Sequence, residues 1–174
     1  TYRDINIAIA NEFSRLADRF GVDVWEAIRT ANLHPRVKIL NPGPGVGGHC
    51  ISVDPWFFVE SAPELSTLIA SARRVNDSQP GFCVELVRKA LGELKGKKIA
   101  ALGLAFKPDV DDLRESPAAE VVHLLHRDGG RIQSTWHGRD HRRVRCRIGA
   151  GHHRRPREHR APDQTPYRYL HPSL

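Results

Sequence analysis

The sequence predicts a mainly α fold that passes, near residue 96, into the opening of a parallel βαβ unit. Three observations carry that expectation. Apolar residues recur every three or four positions in successive segments of residues 1–95, the spacing of amphipathic helices. The segment KKIAALGLA, residues 97–105, is a short apolar run bounded by charge and glycine, as in a buried parallel strand. A helical pattern follows it, and Arg131-Ile132 then begins a second strand.

In chain order, the first helix covers residues 1–20, with Ile5, Ile9, Phe13, Leu16 and Phe20 as its apolar face and Gly21 as its terminator. Asp23 and Glu26 form a capping box for a second helix over 24–32, with Trp25 and Ile28 on its buried side. The short apolar run VKIL leads into residues 41–58, NPGPGVGGHCISVDPWFF, around which the rest is organised. Dense glycine and proline there forbid regular structure and demand turns, some at positive φ. The backbone around Cys50 thus has little side-chain cover, and a substrate can approach. Asp54 before Pro55 reads as an N-cap followed by proline at the first helical position. Cys50 then lies one short step before a helix N-terminus, a setting that favours thiolate.

Trp56 to Ser61 form that short helix, and Pro63 opens another. Leu65, Leu68, Ile69, Ala72 and Val75 make the latter's apolar face, with Arg73 and Arg74 off it. Asp77 or Ser78 before Pro80 marks a break or restart. Cys83, Val84, Val87 and Leu91 continue the stripe to Leu94, and Gly96 stops it. After the strand, Ser116-Pro117 opens a helix whose core side is Val121, Val122, Leu124 and Leu125, closed by Gly129-Gly130.

Composition narrows the function classes once the charge is located. The net charge is +7, and residues 133–174 alone hold ten Arg, no Lys and three acids. The remaining 17 basic and 17 acidic residues balance. Residues 133–174 show neither helical nor strand period. Such a tail reads either as a basic nucleic-acid arm or as a GC-rich gene translated out of frame and disordered. The absence of Lys beside ten Arg and six His favours the frameshift and argues against nucleic acid as a partner. No run of 18 apolar residues and no signal pattern is present, which leads to the expectation of a soluble cytoplasmic protein without membrane contact. Cys50, Cys83 and Cys146 show no CxxC pairing, and the tail histidines show no finger spacing, so neither a disulfide framework nor a metal site is expected. The chain has no Met, which implies that it begins inside a longer reading frame.

The strings GPGVGGHC with I-x-VDPWF, and GLAFKPxxDDLRESPA at residues 103–118, resemble the UDP-glucose/GDP-mannose dehydrogenase family of NAD-dependent nucleotide-sugar 6-dehydrogenases. With HPRV upstream, the version here looks like the UDP-N-acetyl-D-mannosamine branch. Ser52 stands where the family commonly has Pro or Ala. The resemblance covers residues 1–132. It implies a central helical dimerisation domain over residues 1–95 and the first βα of a Rossmann-like UDP-binding domain over 96–132, and leaves the Arg/His-rich tail over 133–174 outside the match. It further implies a homodimer formed through the helical domain.

The implied chemistry is oxidation of a UDP-sugar primary alcohol to the uronate with two NAD molecules, for surface polysaccharide biosynthesis. UDP-glucose and UDP-N-acetylglucosamine are the alternative substrates. By resemblance Cys50 is the nucleophile that traps the aldehyde, and Asp54 is the acid that helps hold water. Arg3, His34, Arg36, Gly47, Phe106 and Lys107 match positions that bind the UDP-sugar, and Arg114 matches an arginine that reaches NAD. An arginine suits a diphosphate because its fork donates in pairs. His49 adjoins Cys50, but neighbours in an extended turn point to different sides, so no Cys-His dyad is read here. There is no GxGxxG after a strand, and the family's catalytic lysine and its asparagine partner lie ahead of Thr1. The chain by itself is therefore expected to be inactive.

Overall fold

The computed structural model describes residues 1–107, 110 and 112–135, and among them lie six helices and one two-stranded sheet. The helices are α1 (Tyr2–Phe20), α2 (Val24–Ala31), α3 (Asp54–Ser61), α4 (Thr67–Asp77), α5 (Gln79–Leu91) and α6 (Pro117–Arg127). The strands β1 (Lys98–Leu102) and β2 (Arg131–Thr135) flank α6 in sequence and pair parallel, Lys98 opposite Arg131 through Leu102 opposite Thr135. The expected βαβ opening is therefore present, and β2 runs three residues into the stretch assigned to the tail. The reading of the remainder of that tail, residues 136–174, as an out-of-frame or basic arm lies outside the described residues.

The element boundaries follow from local chemistry. Gly21 ends α1 at φ 69°, and the amide of Val22 returns to the carbonyl of Ala17 at 2.9 Å, closing the last turn. Asp23 caps α2 by accepting from the amides of Trp25 (2.9 Å) and Glu26 (3.3 Å). The Glu26 carboxylate pairs with Arg29, so only half of the expected capping box forms. The restart at Ser78 separates α4 from α5, with Pro80 in the first turn of the second helix where its missing amide costs nothing.

Several expectations are corrected. Helix α4 begins at Thr67, not Pro63, because residues 63–65 form a turn and the Ser66 hydroxyl donates to the carbonyl of Phe58 at 3.0 Å. Strand β1 stops at Leu102, short of the expected residue 105. Gly103 takes φ 85°, and the carbonyl of Leu104 is turned to the Ser116 hydroxyl. Trp25 stays 38% exposed, while Ile28 is buried as expected. The largest reversal is on α1. Its buried face is Asp4, Ile7, Ala8 and Asn11, whereas Ile9, Phe13, Leu16 and Phe20 stand exposed.

Two different cores result. Cys83, Val84, Val87, Leu94, Ile99, Val121 and Leu125 form an apolar cluster that joins α5 to β1 and α6. The packing of α1 on α4 is polar instead. Arg73, expected off the buried face, is 2% exposed and pairs with the buried Asp4 at 2.6 Å. Asn76 donates to Asp4 Oδ1 at 2.8 Å, and Asn11 donates to Asn76 at 2.9 Å.

Candidate active site

The glycine-rich stretch runs as irregular backbone from residue 41 to the start of α3. Pro42, Pro44, Val46, Gly47 and Gly48 are buried, while His49 and Cys50 are exposed. The segment is pinned at both ends. Upstream, the Gly43 amide donates to Asn11 Oδ1 at 2.8 Å. Downstream, the Gly48 amide donates to the Arg114 carbonyl at 3.2 Å, and the Ser52 hydroxyl donates to the Gly48 carbonyl. The Cys50 carbonyl then accepts from Val53 (3.1 Å) and Asp54 (2.8 Å), which starts α3 directly.

Asp54 is consequently the first residue of α3 and not its cap. The N-cap is Val53, which makes no side-chain cap bond. The Asp54 carboxylate is exposed, and capping does not engage it.

The glycines have a specific neighbour. A Cβ on Gly47 would stand 2.5 Å from the Glu115 carbonyl oxygen, 2.6 Å from Phe106 Cβ and 2.8 Å from Pro117 Cδ. Gly48, at φ 86°, has the Phe106 ring against it, 2.9 Å from where its Cβ would be. Glycine is thus required at Gly47 because the Glu115 backbone docks there, and at Gly48 because of its positive φ against the Phe106 ring. The docked piece is the turn after β1. Ser116 closes it by donating from its amide to the Leu113 carbonyl at 3.1 Å, and Glu115 takes φ 51°, a conformation that costs a residue with a side chain.

This docking brings Gly47, Phe106 and Arg114 together within one bond or contact of the Cys50 loop. Lys107 joins them through its Nζ, 5.7 Å from the Phe106 ring centre. The Arg114 guanidinium is exposed at the rim and is held by Asp112, with Nε at 3.0 Å and Nη2 at 2.6 Å. Those hydrogen bonds, helped by the Arg114 amide and by the charges of Arg114 and His49, lower the Asp112 carboxyl to about 2. The same hydrogen bonds raise the Arg114 pKa.

Arg3, His34 and Arg36 are placed differently. Arg3 is exposed on the first turn of α1. His34 and Arg36 are exposed in the turn after α2, where His34 Nδ1 accepts from the Arg36 amide at 3.2 Å. Among the described residues, no hydrogen bond or ion pair joins these three to the cysteine loop. The polar set behind the loop, Asp4, Asn11, Arg73 and Asn76, was not expected from the sequence. The signal that could have found it is the spacing of Asp4, Ala8 and Asn11, which puts small and polar residues on one helical face. Among the described residues, no group of three His, Cys, Asp or Glu could hold a metal ion, and no helix is long and apolar enough to cross a membrane.

Residues 1–78 match the central domain of the UDP-glucose/GDP-mannose dehydrogenase family, and residues 100–135 match that family's UDP binding domain. The chain belongs to the UDP-glucose/GDP-mannose dehydrogenase family. The two matched segments are the two that meet at Gly47, Gly48, Phe106 and Arg114. Family relatives include a UDP-N-acetyl-D-mannosamine dehydrogenase of Campylobacter jejuni, 57% identical over 125 residues, 72% of this chain and 31% of the relative. Another, an NDP-N-acetyl-D-galactosaminuronic acid dehydrogenase of Ralstonia solanacearum, is 56% identical over 124 residues, 71% of this chain and 29% of the relative. A solved UDP-D-ManNAc dehydrogenase from Pyrococcus horikoshii superposes with a TM-score of 0.71 at 44% identity, over 76% of this chain and 33% of that one. The chain thus spans about a third of the length of the relatives it matches.

Proposed function

We propose that the chain is part of an enzyme that oxidises the C6 alcohol of UDP-N-acetyl-D-mannosamine to the uronate with NAD, for surface polysaccharide biosynthesis. The observation that carries this reading is the exposed thiol of Cys50, on a loop bonded through its backbone to the turn that bears Arg114. The relatives' names support the nucleotide-sugar dehydrogenase class. They divide over the sugar, so UDP-N-acetyl-D-mannosamine is the reading favoured by the HPRV loop, and the N-acetylgalactosamine-type sugar is its competitor.

In this reading the Cys50 sulfur adds to the C6 aldehyde, forming a C–S bond while the carbonyl oxygen takes a proton. Loss of hydride from its carbon and of a proton from its hydroxyl converts that thiohemiacetal to a thioester. Water then breaks the C–S bond, releases the uronate and returns the thiol. NAD, when bound, accepts the hydride of each oxidation. Asp54, exposed and not used as a cap, holds the attacking water near the Cys50 end of α3. Arg114 fits a contact with the anionic part of NAD, since its guanidinium is exposed while its carbonyl anchors Gly48. Its ion pair with Asp112 keeps the fork oriented before a ligand arrives. Lys107 and Phe106 face the UDP-sugar, with Gly47 letting the loop close on them. Arg3, His34 and Arg36 supply exposed donors for the same ligand. The exposed stripe Ile9, Phe13, Leu16 and Phe20 is the surface on which a second copy of the chain docks.

The test is a chimaera in which residues 1–132 replace the matching segment of the Campylobacter relative. The chimaera is expected to reduce NAD with UDP-N-acetyl-D-mannosamine and not with UDP-glucose. Cys50→Ser should lower kcat on the order of a thousandfold, as loss of a nucleophile does. Undiminished turnover in Cys50→Ser overturns the mechanism, and preference for another sugar overturns the substrate.

A further inference from the structure

The buried polar cluster between α1 and α4 is larger than the packing of two helices needs, and it ends on the cysteine loop. Asn11 is fully buried, and both ends of its amide are committed. Oδ1 accepts from the Gly43 amide at 2.8 Å, and Nδ2 donates to Asn76 Oδ1 at 2.9 Å. Asn76 is held in turn by Asp4, through Oδ1 at 2.8 Å and the backbone carbonyl at 3.0 Å. Arg73 donates to the same Asp4 oxygen at 2.6 Å. Each amide therefore has one orientation, since turning it over would set donor against donor. Asn6 repeats the device one turn earlier on α1, donating to the Lys38 carbonyl at 2.8 Å and accepting from the Leu40 amide at 2.9 Å.

We infer that Asn11 is a positioning residue for Cys50: backed by Asn76 and Asp4, it sets the path of the loop between Gly43 and Gly48 and so presents the thiol. The loop backbone has two fixed points, Gly43 on Asn11 and Gly48 on the Arg114 carbonyl. Between them Gly45, at φ 138°, would place a Cβ 3.0 Å from the Asn76 carbonyl oxygen, so the backbone lies directly against the same cluster. Freeing the first anchor lets the segment slide away from the second. A polar cluster often costs more to bury than an apolar one of the same shape, so what it adds is a defined orientation and not extra stability. Here that orientation fixes a loop that carries few side chains of its own. The consequence for catalysis rests on the proposed role of Cys50; the geometry does not.

The experiment uses the 174-residue chain. Amide exchange is followed at Gly43 and Val87, and alkylation of Cys50 by iodoacetamide is read by peptide mass spectrometry. In Asn11→Ala, Gly43 exchange should rise about tenfold, as expected when a buried amide loses its acceptor, and Cys50 labelling should change at least threefold. Val87, fully buried in the other core, should exchange as before. Asn76→Ser, one step back, should shift Gly43 in the same direction by less, and it serves if Asn11→Ala does not fold. Unchanged Gly43 exchange in Asn11→Ala or Asn76→Ser, unchanged Cys50 labelling in the same variant, or an equal rise at Val87 would each overturn the inference. Such a failure leaves the enzyme reading intact, while undiminished turnover in the Cys50→Ser chimaera would overturn the proposed role of Cys50 and leave the Asn11 result standing.

Discussion

Gly47 shows what a single residue decides here. The room a side chain would need is taken by the Glu115 carbonyl, Phe106 and Pro117, all within 2.8 Å of the missing Cβ. Gly47→Ala should therefore destabilise the chain by about 1–3 kcal/mol, the usual cost of overpacking, seen as a lower urea midpoint at unchanged slope. Asp112 offers a second check at this scale. Its folded carboxyl is lowered to about 2 from an ordinary 3.8, chiefly by the Arg114 hydrogen bonds. A depressed folded pKa contributes stability above the unfolded value, and that contribution is lost as pH falls from about 4 through about 2. Arg114→Ala should move the Asp112 titration, followed by carboxyl-carbon NMR, up toward 3.8 and remove that acid-side loss.

Among the elements, α1 and α4 carry the least ordinary energetics. Their shared face holds Asp4 and Arg73, both essentially without solvent, and two of its polar atoms, Asp4 Oδ2 and Arg73 Nε, have no hydrogen-bond partner among the described residues. Arg73→Met leaves the Asp4 carboxylate buried without its cation, for an expected loss of about 3–5 kcal/mol. Adding Asp4→Leu should recover most of that loss, because the uncompensated charge goes with it. Urea unfolding of both single variants and the double gives the coupling. Additive effects would mean that the pair is not the unit described. Periodicity found these helices and the break at Ser78, since both depend on neighbours in sequence. It assigned the wrong face of α1 because it ranks side chains by hydrophobicity alone. Ile9 and Phe13 outrank Asp4 and Asn11 until the partners on α4 and the loop are known.

At the scale of the molecule, two segments far apart in sequence meet at one seam, the 45–50 loop against residues 106 and 114–117. The exposed stripe of α1 is the other whole-molecule feature. Ile9, Phe13, Leu16 and Phe20 are 43%, 41%, 46% and 72% exposed on one helix, more apolar surface than a lone helix face retains without use. Phe13→Glu should convert the proposed dimer to monomer in sedimentation equilibrium while leaving the helical circular dichroism unchanged. A monomeric parent would reject the dimer through this face.

Residue order by itself determined the helical first part, the βαβ opening and the family, because each rests on local patterning or on contiguous strings such as GPGVGGHC and DDLRESP. It also singled out Gly47, Phe106 and Arg114 as candidates without showing that they adjoin. Only the tertiary structure decided that adjacency, released Asp54 from capping, buried Arg73 and placed Asn11 behind the loop. The physical reason is range. A turn or a helical period is set by residues within a few positions, whereas a buried amide is tolerable only when its partners arrive from elsewhere, here 32 and 65 residues away.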